Sequence, residues 1–182
     1  MASLINSAGA SGTGSMTIQG PNTNSNQVLT IPDATGTAMV SGNMPTFSYY
    51  SNAGVTIGSS SFTKVTFTVS EWDTTGGMYA SSRFTPTVAG YYQIDACVAC
   101  SSSVGGQQIT SIYKNGSEFK RGNQVSANVT GTQTNTLASA LIYFNGSTDY
   151  VEIYAFQSSG TNQTTGTGQP QTYFQGSLVR TA

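Results

Sequence analysis

Alternation of apolar and polar residues dominates the last three-quarters of the chain. In the segment FTKVTFTVS (62–70), Val65, Phe67 and Val69 alternate with mostly polar neighbours, the pattern of a strand with one buried face. Comparable segments recur about every ten residues and are bounded by Gly, Asn, Ser and Thr. Asn115-Gly116 separates two of them, which predicts a tight hairpin. Because no segment sustains a helical period, we predict an all-β domain, a sandwich of two sheets.

One predicted strand, DYVEIYAF (149–156), is apolar on both faces. Its small and branched apolar residues alternate and would face the core. The three aromatic residues lie on the opposite face: Tyr150, Tyr154 and Phe156. A strand that is apolar on both faces is usually covered on both faces, which favours a contact between copies of the chain. The alternative is that these residues are exposed on a polar sheet. We assign the three aromatic residues as a candidate trimer interface.

The first 46 residues differ in composition from the rest. They contain no aromatic residue and a single charged residue, Asp33. Such a segment has too few large apolar side chains to offset its own ordering entropy. We predict that residues 1–46 form an extended arm that adds strands to the sheet edges of another protein. Residues 47–182 form the folded domain. The predicted anchors of the arm are Ile18, Val28, Leu29, Ile31, Met39 and Val40.

Charge is scarce along the whole chain. Charged residues make up 7% of the 182 residues, and the net charge is −1. Because this leaves no basic surface, nucleic acid and anionic membranes are poor partners. No apolar run approaches the roughly 18 residues that a membrane span needs. The first residues lack the basic and apolar regions of a signal peptide, so we expect assembly in a cytoplasm, where thiols stay reduced.

The residue types that carry catalysis are sparse. Histidine is absent, and the seven acidic residues are scattered, whereas a glycosidase needs two carboxylates that face each other across a cleft. Cys97 and Cys100 form a CxxC, but they lie on a predicted strand, where positions three apart point to opposite faces. With no second CxxC and no histidine, they are predicted to be ordinary buried or half-buried thiols. We predict no enzyme activity, no catalytic residue, no metal site and no cofactor; Asp95 is the carboxylate to check.

Trp72, between Glu71 and Asp73, is the best single candidate for an exposed recognition residue. Abundant Asn, Gln, Tyr and Thr would let such a surface bind sugars by hydrogen bonds and stacking. The competing interpretations are an inert, solvated surface and a tryptophan that fills the edge between two sheets. The sequence favours the inert surface, because it shows no cluster of polar residues around an aromatic one.

Four blocks of the folded region resemble the C1q/tumour-necrosis-factor jelly roll in order and spacing. They are FTPTVAGYYQI (84–94), IYKNG (112–116), LIYFNGSTDYVEIY (141–154) and YFQGSLV (173–179). The third block departs from the family pattern by the insertion of Ser147 and Thr148 before Asp149. The resemblance implies a compact trimer. It brings no calcium site to this chain, because the acidic residues do not cluster. The collagen-like stalk of the secreted animal members is missing from the sequence.

The arm carries a second, looser resemblance. TIQGPNTNSNQVLTIPDATGTAMV (17–40) is similar to a Gly-Pro…Leu-Thr-Ile-Pro-Asp-Ala-Thr-Gly-Thr segment that recurs in bacteriophage fibre, tail and other virion proteins. Together with a trimeric jelly-roll head, it implies a phage structural protein. The leading hypothesis is a trimeric capsid cement or decoration protein on the capsid surface, with the major capsid protein or another virion protein as its partner. The alternative is a receptor-binding tip or a head or tail fibre that recognises a host glycan or protein.

Overall fold

The structure, a computed structural model, describes residues 44–182. These residues belong to one compact unit, Ala38–Ala182. The predicted arm anchors and nearly all of the predicted arm lie outside the described residues, and both remain predictions. The described residues contain strands and turns and no helix. The strands are β1 (Thr46–Tyr50), β2 (Thr56–Ile57), β3 (Ser61–Lys64), β4 (Val69–Asp73), β5 (Tyr79–Ala80), β6 (Arg83–Phe84), β7 (Gly90–Ser101), β8 (Gln107–Lys114), β9 (Ser117–Ser126), β10 (Gln133–Phe144), β11 (Val151–Gln157), β12 (Gln163–Thr164) and β13 (Tyr173–Thr181).

The strands form two five-stranded sheets that pack face to face. The first sheet has the order β10-β7-β13-β1-β4, and the second has the order β5-β6-β11-β8-β9. A two-stranded ribbon pairs β12 with β2. Neighbouring strands in both sheets are antiparallel. The prediction of an all-β sandwich is therefore confirmed.

Aromatic rings join the two sheets in the centre of the core. Phe47 on β1 of the first sheet is 1% exposed. Its ring centroid lies 4.6 Å from that of Phe84 on β6 and 5.1 Å from that of Tyr79 on β5, both in the second sheet. It also meets Phe174 on β13 edge-on at 5.0 Å. Aromatic contacts of this kind add about 0.5–1.5 kcal/mol each beyond the burial of their area.

Gly176 makes room for this cluster. It lies on β13 directly opposite Phe47 and Ile94 of the two flanking strands. A Cβ atom at this position would lie 2.7 Å from Ile94 Cδ1 and 2.9 Å from Phe47 Cε1, well inside van der Waals contact. The block YFQGSLV marks this glycine in the sequence, but the two side chains that fill the space beside it are visible only in the structure.

The predicted strand 62–70 is broken in the structure. β3 ends at Lys64 and β4 begins at Val69, and Phe67 between them is buried in the core. The chain changes partners here: Val65 N donates to Ile153 O of β11 at 2.9 Å, whereas Thr68 N donates to Tyr50 O of β1 at 3.1 Å. Apolar and polar residues still alternate where the chain passes from one sheet to the other, because the buried side chains face the same core. The sequence pattern alone therefore does not reveal the break between β3 and β4.

The predicted hairpin at Asn115-Gly116 is present between β8 and β9. Both turn residues have positive φ, 53° and 81°, as a two-residue type I′ turn requires. At its far end, β9 approaches β10 of the first sheet, where Asn123 Oδ1 accepts a hydrogen bond from Leu137 N at 2.6 Å. This contact closes one side of the sandwich.

We predict that Gly176→Ala lowers the free energy of unfolding by about 1–3 kcal/mol, the usual cost of overpacking a dense core. The new methyl group would displace the rings around Phe47. Ser177→Ala, at the adjacent exposed position, is the matched control and should change stability by less than about 0.5 kcal/mol. Urea denaturation measures both variants. Equal stability of the two would contradict the close packing at Gly176.

Candidate functional site

The most buried carboxylate of the described residues is structural. Glu152 on β11 is 3% exposed, and its Oε1 accepts hydrogen bonds from Lys64 Nζ at 2.7 Å and Arg83 Nε at 2.8 Å. Burial alone would raise the pKa of Glu152, but the hydrogen bonds and charges of Lys64 and Arg83 outweigh it and lower the pKa below its ordinary 4.5. A carboxylate held ionised in this way does not donate a proton at neutral pH.

The other acidic side chains of the described residues are engaged separately, each with its own partners. The contacts are Asp149 with Lys114 (2.9 Å) and Asn115 (2.8 Å), Glu118 with Arg121 (2.6 Å), Asp73 with Tyr49 (2.7 Å), Glu71 with Ser48 (2.5 Å), and Asp95 with Gln93 (2.9 Å) and Ser139 (2.6 Å). Over residues 44–182, no three His, Cys, Asp or Glu residues are placed to hold a metal ion.

The same residues include no helix long and apolar enough to cross a membrane.

Both thiols are buried on β7. Cys97 is 3% exposed and Cys100 is 4% exposed, and neither forms a disulfide. Cys100 packs in the core between the sheets. Burial raises the pKa of both thiols, that of Cys100 to about 11. Because the thiolate is the reactive form, these cysteines are poor nucleophiles at neutral pH.

The candidate interface residues on β11 and directly before it are partly covered by their own chain. The Tyr154 ring stacks on Tyr113 of β8 at 4.0 Å, and Phe156 lies 5.2 Å from Phe62 of β3. Arg83 stands over the ring of Tyr150 at 3.9 Å. As predicted, the neighbouring Val151, Ile153 and Ala155 face the core. All three aromatic residues remain half-buried, and their role in a trimer remains a prediction.

A larger exposed apolar surface lies on the first sheet, on the face turned away from the core. We call it the β7–β10 patch. It consists of Tyr91 on β7 and Leu137, Leu141 and Tyr143 on β10, which are 41%, 50%, 55% and 44% exposed. The Tyr91 and Tyr143 rings lie 5.4 Å apart. The sequence held a signal for it: in TLASALIYF, alternate residues are apolar on both faces of the strand.

Trp72 lies on β4, at the opposite side of the same sheet face, and is 48% exposed. It borders a shallow depression of about 300 Å³ that extends across four strands. The depression is lined by Thr46, Trp72, Asp95, Gln175, Gly176 and Ser177. The structure therefore places Trp72 and Asp95, which the sequence had singled out separately, at opposite ends of the same depression.

Neither a protein-family model nor a curated protein sequence matches the chain. Solved structures do match it. Eiger TNF from S. frugiperda superimposes with a TM-score of 0.57 at 7% identity, over 76% of this chain and 94% of that one. The globular domain of zebrafish complement 1qA gives 0.54 at 16% identity, over 76% and 99%. Murine APRIL gives 0.57 at 12% identity, over 75% and 100%.

The chain has the jelly-roll fold of TNF and C1q domains. At these identities the similarity establishes the fold and carries no function with it. The blocks on which the resemblance rested fall on the long strands of this jelly roll and their turns: β7, the β8–β9 hairpin, β10 with β11, and β13. The functional surfaces of the jelly roll must therefore be argued from its own exposed residues.

We predict that Glu152→Gln lowers the free energy of unfolding by about 1–3 kcal/mol at neutral pH, because it leaves two cations without their shared partner. The pKa of Glu152 is lower in the folded than in the unfolded protein. The wild type therefore has this stabilisation fully above the unfolded-state pKa and loses it as the pH falls through the folded-state pKa.

The difference between wild type and Glu152→Gln should accordingly narrow on acidification, as measured by urea denaturation at neutral pH and at about pH 3. Glu118→Gln is the control, because the Arg121–Glu118 pair is more exposed and is worth about 0–1 kcal/mol. A Glu152→Gln variant as stable as Glu118→Gln at neutral pH would show that the buried ion cluster contributes nothing.

Proposed function

We propose that this chain is a homotrimeric structural protein of a bacteriophage particle, a capsid cement or decoration protein anchored by its N-terminal arm. The observation that carries the trimer is the β7–β10 patch. Contiguous exposed apolar residues on a sheet face are typical of a protein–protein contact, and here they lie on a chain with few charges. A trimer is also what the resemblance to C1q/TNF jelly rolls implies.

The geometry of the patch suits a contact around a three-fold axis. Tyr91 and Tyr143 are directly paired across β7 and β10, and Leu141 lies two residues away on the same face. These three side chains form one surface at one end of the sheet, and Leu137 lies beyond Ser139 on the same face. When three copies converge there, the two tyrosine rings and the leucine side chains leave water, and the tyrosine hydroxyl groups can reach a hydrogen-bond partner at the edge of the contact.

The β11 aromatic residues are the second candidate surface for the same contact. They are more covered than the β7–β10 patch, because Phe62 and Tyr113 already pack against them. A partner there would gain less buried area per residue. The β7–β10 patch is therefore the better candidate for the main contact, with Tyr154 and its neighbours at most on its margin.

The virion assignment rests on the arm sequence. Its resemblance to segments of phage virion proteins supports a particle-bound role, and its composition suits a segment that orders on a partner. Three arms on one trimer would bind with avidity when all three sites are within reach. The proposed partner is the major capsid protein or another virion protein, and the proposed location is the capsid surface after assembly in the host cytoplasm.

A structural role is favoured over an enzymatic one by the separate engagement of each carboxylate described above. The rival within phage particles is a receptor-binding tip or fibre. Copy number separates the two: a decoration protein is present in many copies per particle, and a tip is present in a few. Electron microscopy of purified particles, with quantitative mass spectrometry, counts the chain and locates it.

We predict that Leu141→Glu combined with Tyr143→Ser converts the trimer into a monomer at micromolar concentration, because each buried anchor of an interface typically contributes about 2 kcal/mol or more. Light scattering coupled to size exclusion gives the mass. Val104→Ser, at a residue that is 66% exposed in a turn, should leave the trimer intact. If Tyr154→Ser dissociates the protein and the β10 variant does not, the contact lies on β11 instead.

We predict that replacing Val28, Leu29 and Ile31 together by Ser abolishes binding of the full-length protein to capsids while the trimer mass is unchanged. Three of the six predicted apolar anchors of the arm are lost, and the head is untouched. Leu4→Ser with Ile5→Ser provides a control at the start of the arm. Cosedimentation with undecorated capsids measures binding. Full binding by the triple variant would refute anchoring through this segment.

A further inference from the structure

The basic residues of the chain are concentrated on the second sheet, which faces away from the proposed trimer contact. Five of the six basic residues lie on this sheet or on β3 beside it, together with only three acidic residues. The five are Lys64, Arg83, Lys114, Lys120 and Arg121. A chain with almost no net charge therefore presents a locally cationic outer surface, which attracts anions.

Two of these basic residues, Lys64 and Arg83, line a depression of about 410 Å³ beside the β5–β6 hairpin. Tyr79 and Phe84 pair across this hairpin and are buried in the core. The next pair, Ala80 and Arg83, therefore points outward. The small side chain of Ala80 leaves the floor of the depression open. The remaining lining residues are Gly77, Met78, Ser81 and Thr85.

The guanidinium group of Arg83 is held in one orientation by two contacts. Its Nε donates to Glu152 Oε1 at 2.8 Å, and its Cζ lies 3.9 Å from the centre of the Tyr150 ring. Within residues 44–182, no hydrogen bond begins at its two Nη atoms. Their N–H groups are therefore available to a ligand, in the planar arrangement that suits a carboxylate.

Lys64 reaches the same depression from β3. Its Nζ donates to Glu152 Oε1 at 2.7 Å and to Ser81 O at 3.0 Å, which leaves a further ammonium N–H group for a ligand. Ser81 and Ser82 both have positive φ, 52° and 56°, and this tight turn brings Ser81 O to the ammonium group. Because the two cations share the single carboxylate of Glu152, the depression keeps an excess of positive charge.

We propose that this depression binds an acidic sugar residue, with its carboxylate on Arg83 and Lys64. The Nη edge of a guanidinium group can bond both oxygens of a carboxylate, and the sugar ring would lie against Ala80 and Met78. The volume is in the range of small-ligand sites. The site belongs to a single protomer. It rests on the proposed function only in that a trimer contact on the first sheet leaves the second sheet open.

The lining of the depression favours this ligand over others. A neutral sugar would leave the excess positive charge unused. A nucleic acid needs a row of cations along its backbone, whereas Lys114 and Arg121 farther along the sheet are paired with Asp149 and Glu118. A second copy of the chain fits less well, because lysine is depleted at interface centres. An acidic sugar matches both the charge and the volume.

Isothermal titration calorimetry of the full-length protein at low ionic strength tests the site. Trigalacturonate and 3′-sialyllactose supply a carboxylate on two different sugars, and maltotriose and lactose are their neutral controls. We expect saturable binding of at least one acidic sugar, weakened by added NaCl, and no binding of the neutral sugars. Binding of neither acidic sugar would overturn the proposal. Inorganic phosphate that binds as tightly as the acidic sugar would show a site for a bare anion and would also overturn it.

Two variants change the depression in different ways. Arg83→Gln removes the guanidinium fork and should weaken binding of the responsive sugar about tenfold, or by about 1.4 kcal/mol. Ala80→Phe keeps both cations, fills the floor and should abolish binding. Lys120→Gln is the control, because it removes an exposed positive charge on β9, at the other edge of the same sheet, and should leave the affinity nearly unchanged.

Because Arg83 also contacts Glu152, circular dichroism must show that each variant is folded, and Ala80→Phe decides if Arg83→Gln is not. Equal losses in Arg83→Gln and Lys120→Gln would show a general attraction to the charge of the sheet and refute the site. Full binding by a folded Ala80→Phe variant would place the sugar elsewhere and overturn the inference.

The site and the proposed trimer can fail separately. Light scattering on the same samples gives the mass, so sugar binding by a monomer would refute the trimer and leave the site standing. A trimer that binds neither acidic sugar would refute the site and leave the trimer standing. If both hold, the polymer of the responsive sugar, polygalacturonate or polysialic acid, should bind more tightly than the short form through avidity. Leu141→Glu with Tyr143→Ser should remove that gain and keep binding of the short form.

Discussion

The contact of Phe47 with rings from both sheets is the interaction on which the rest of the jelly roll depends. Phe47 is on β1, yet it touches Phe84 and Tyr79 of the second sheet and Phe174 of its own. β1 also pairs with both β13 and β4. A displacement of this ring would therefore separate the two sheets. It would also disturb β1, which joins β4, the edge strand that carries Trp72, to the rest of the first sheet. Gly176 leaves the space beside the Phe47 ring free of a side chain. Because the core is close-packed, a change of even one methyl group there has a measurable energetic cost.

Once the core is closed, the two outer faces differ in how they are covered. Much of the outer face of the second sheet is covered by side chains of the same chain. β3 lies beside β11, and the side chains of Phe62, Lys64 and Arg83 pack over this face. The first sheet is covered in part: Ser48 and Cys97 on its outer side are buried, whereas the β7–β10 patch and Trp72 are exposed. Its outer face divides into the apolar β7–β10 patch and the polar depression beside Trp72. One face thus carries surfaces of different chemistry, and they meet where Asp95 accepts a hydrogen bond from Ser139, between Leu137 and Leu141 of the patch.

The sequence predicted the strands more accurately than it predicted the exposed surfaces. Period-two alternation located β7, β10, β11 and β13, and Asn115-Gly116 located the hairpin, because both signals are local. The break between β3 and β4 was missed, because the alternation of inward residues persists while the chain changes sheets. The Trp72 depression was also missed. Its members are far apart in sequence, and only the pairing of four strands places Asp95, Gln175 and Ser48 in a row with Trp72. The β-bulge at Glu71, where the register between β1 and β4 shifts, left no recognisable mark in the sequence.

The antiparallel pairing of β1 with β13 also sets the direction in which the domain would point. Thr46 lies opposite Ser177, and Pro45 O accepts a hydrogen bond from Leu178 N, so the chain enters β1 at the end of the sandwich where it leaves β13. The turns after β1 and β7 and before β13 lie at the far end. A peptide fused after Ala182 would therefore lie beside Thr46, where the chain enters the sandwich. A peptide inserted in the turn between β7 and β8 would project from the opposite end.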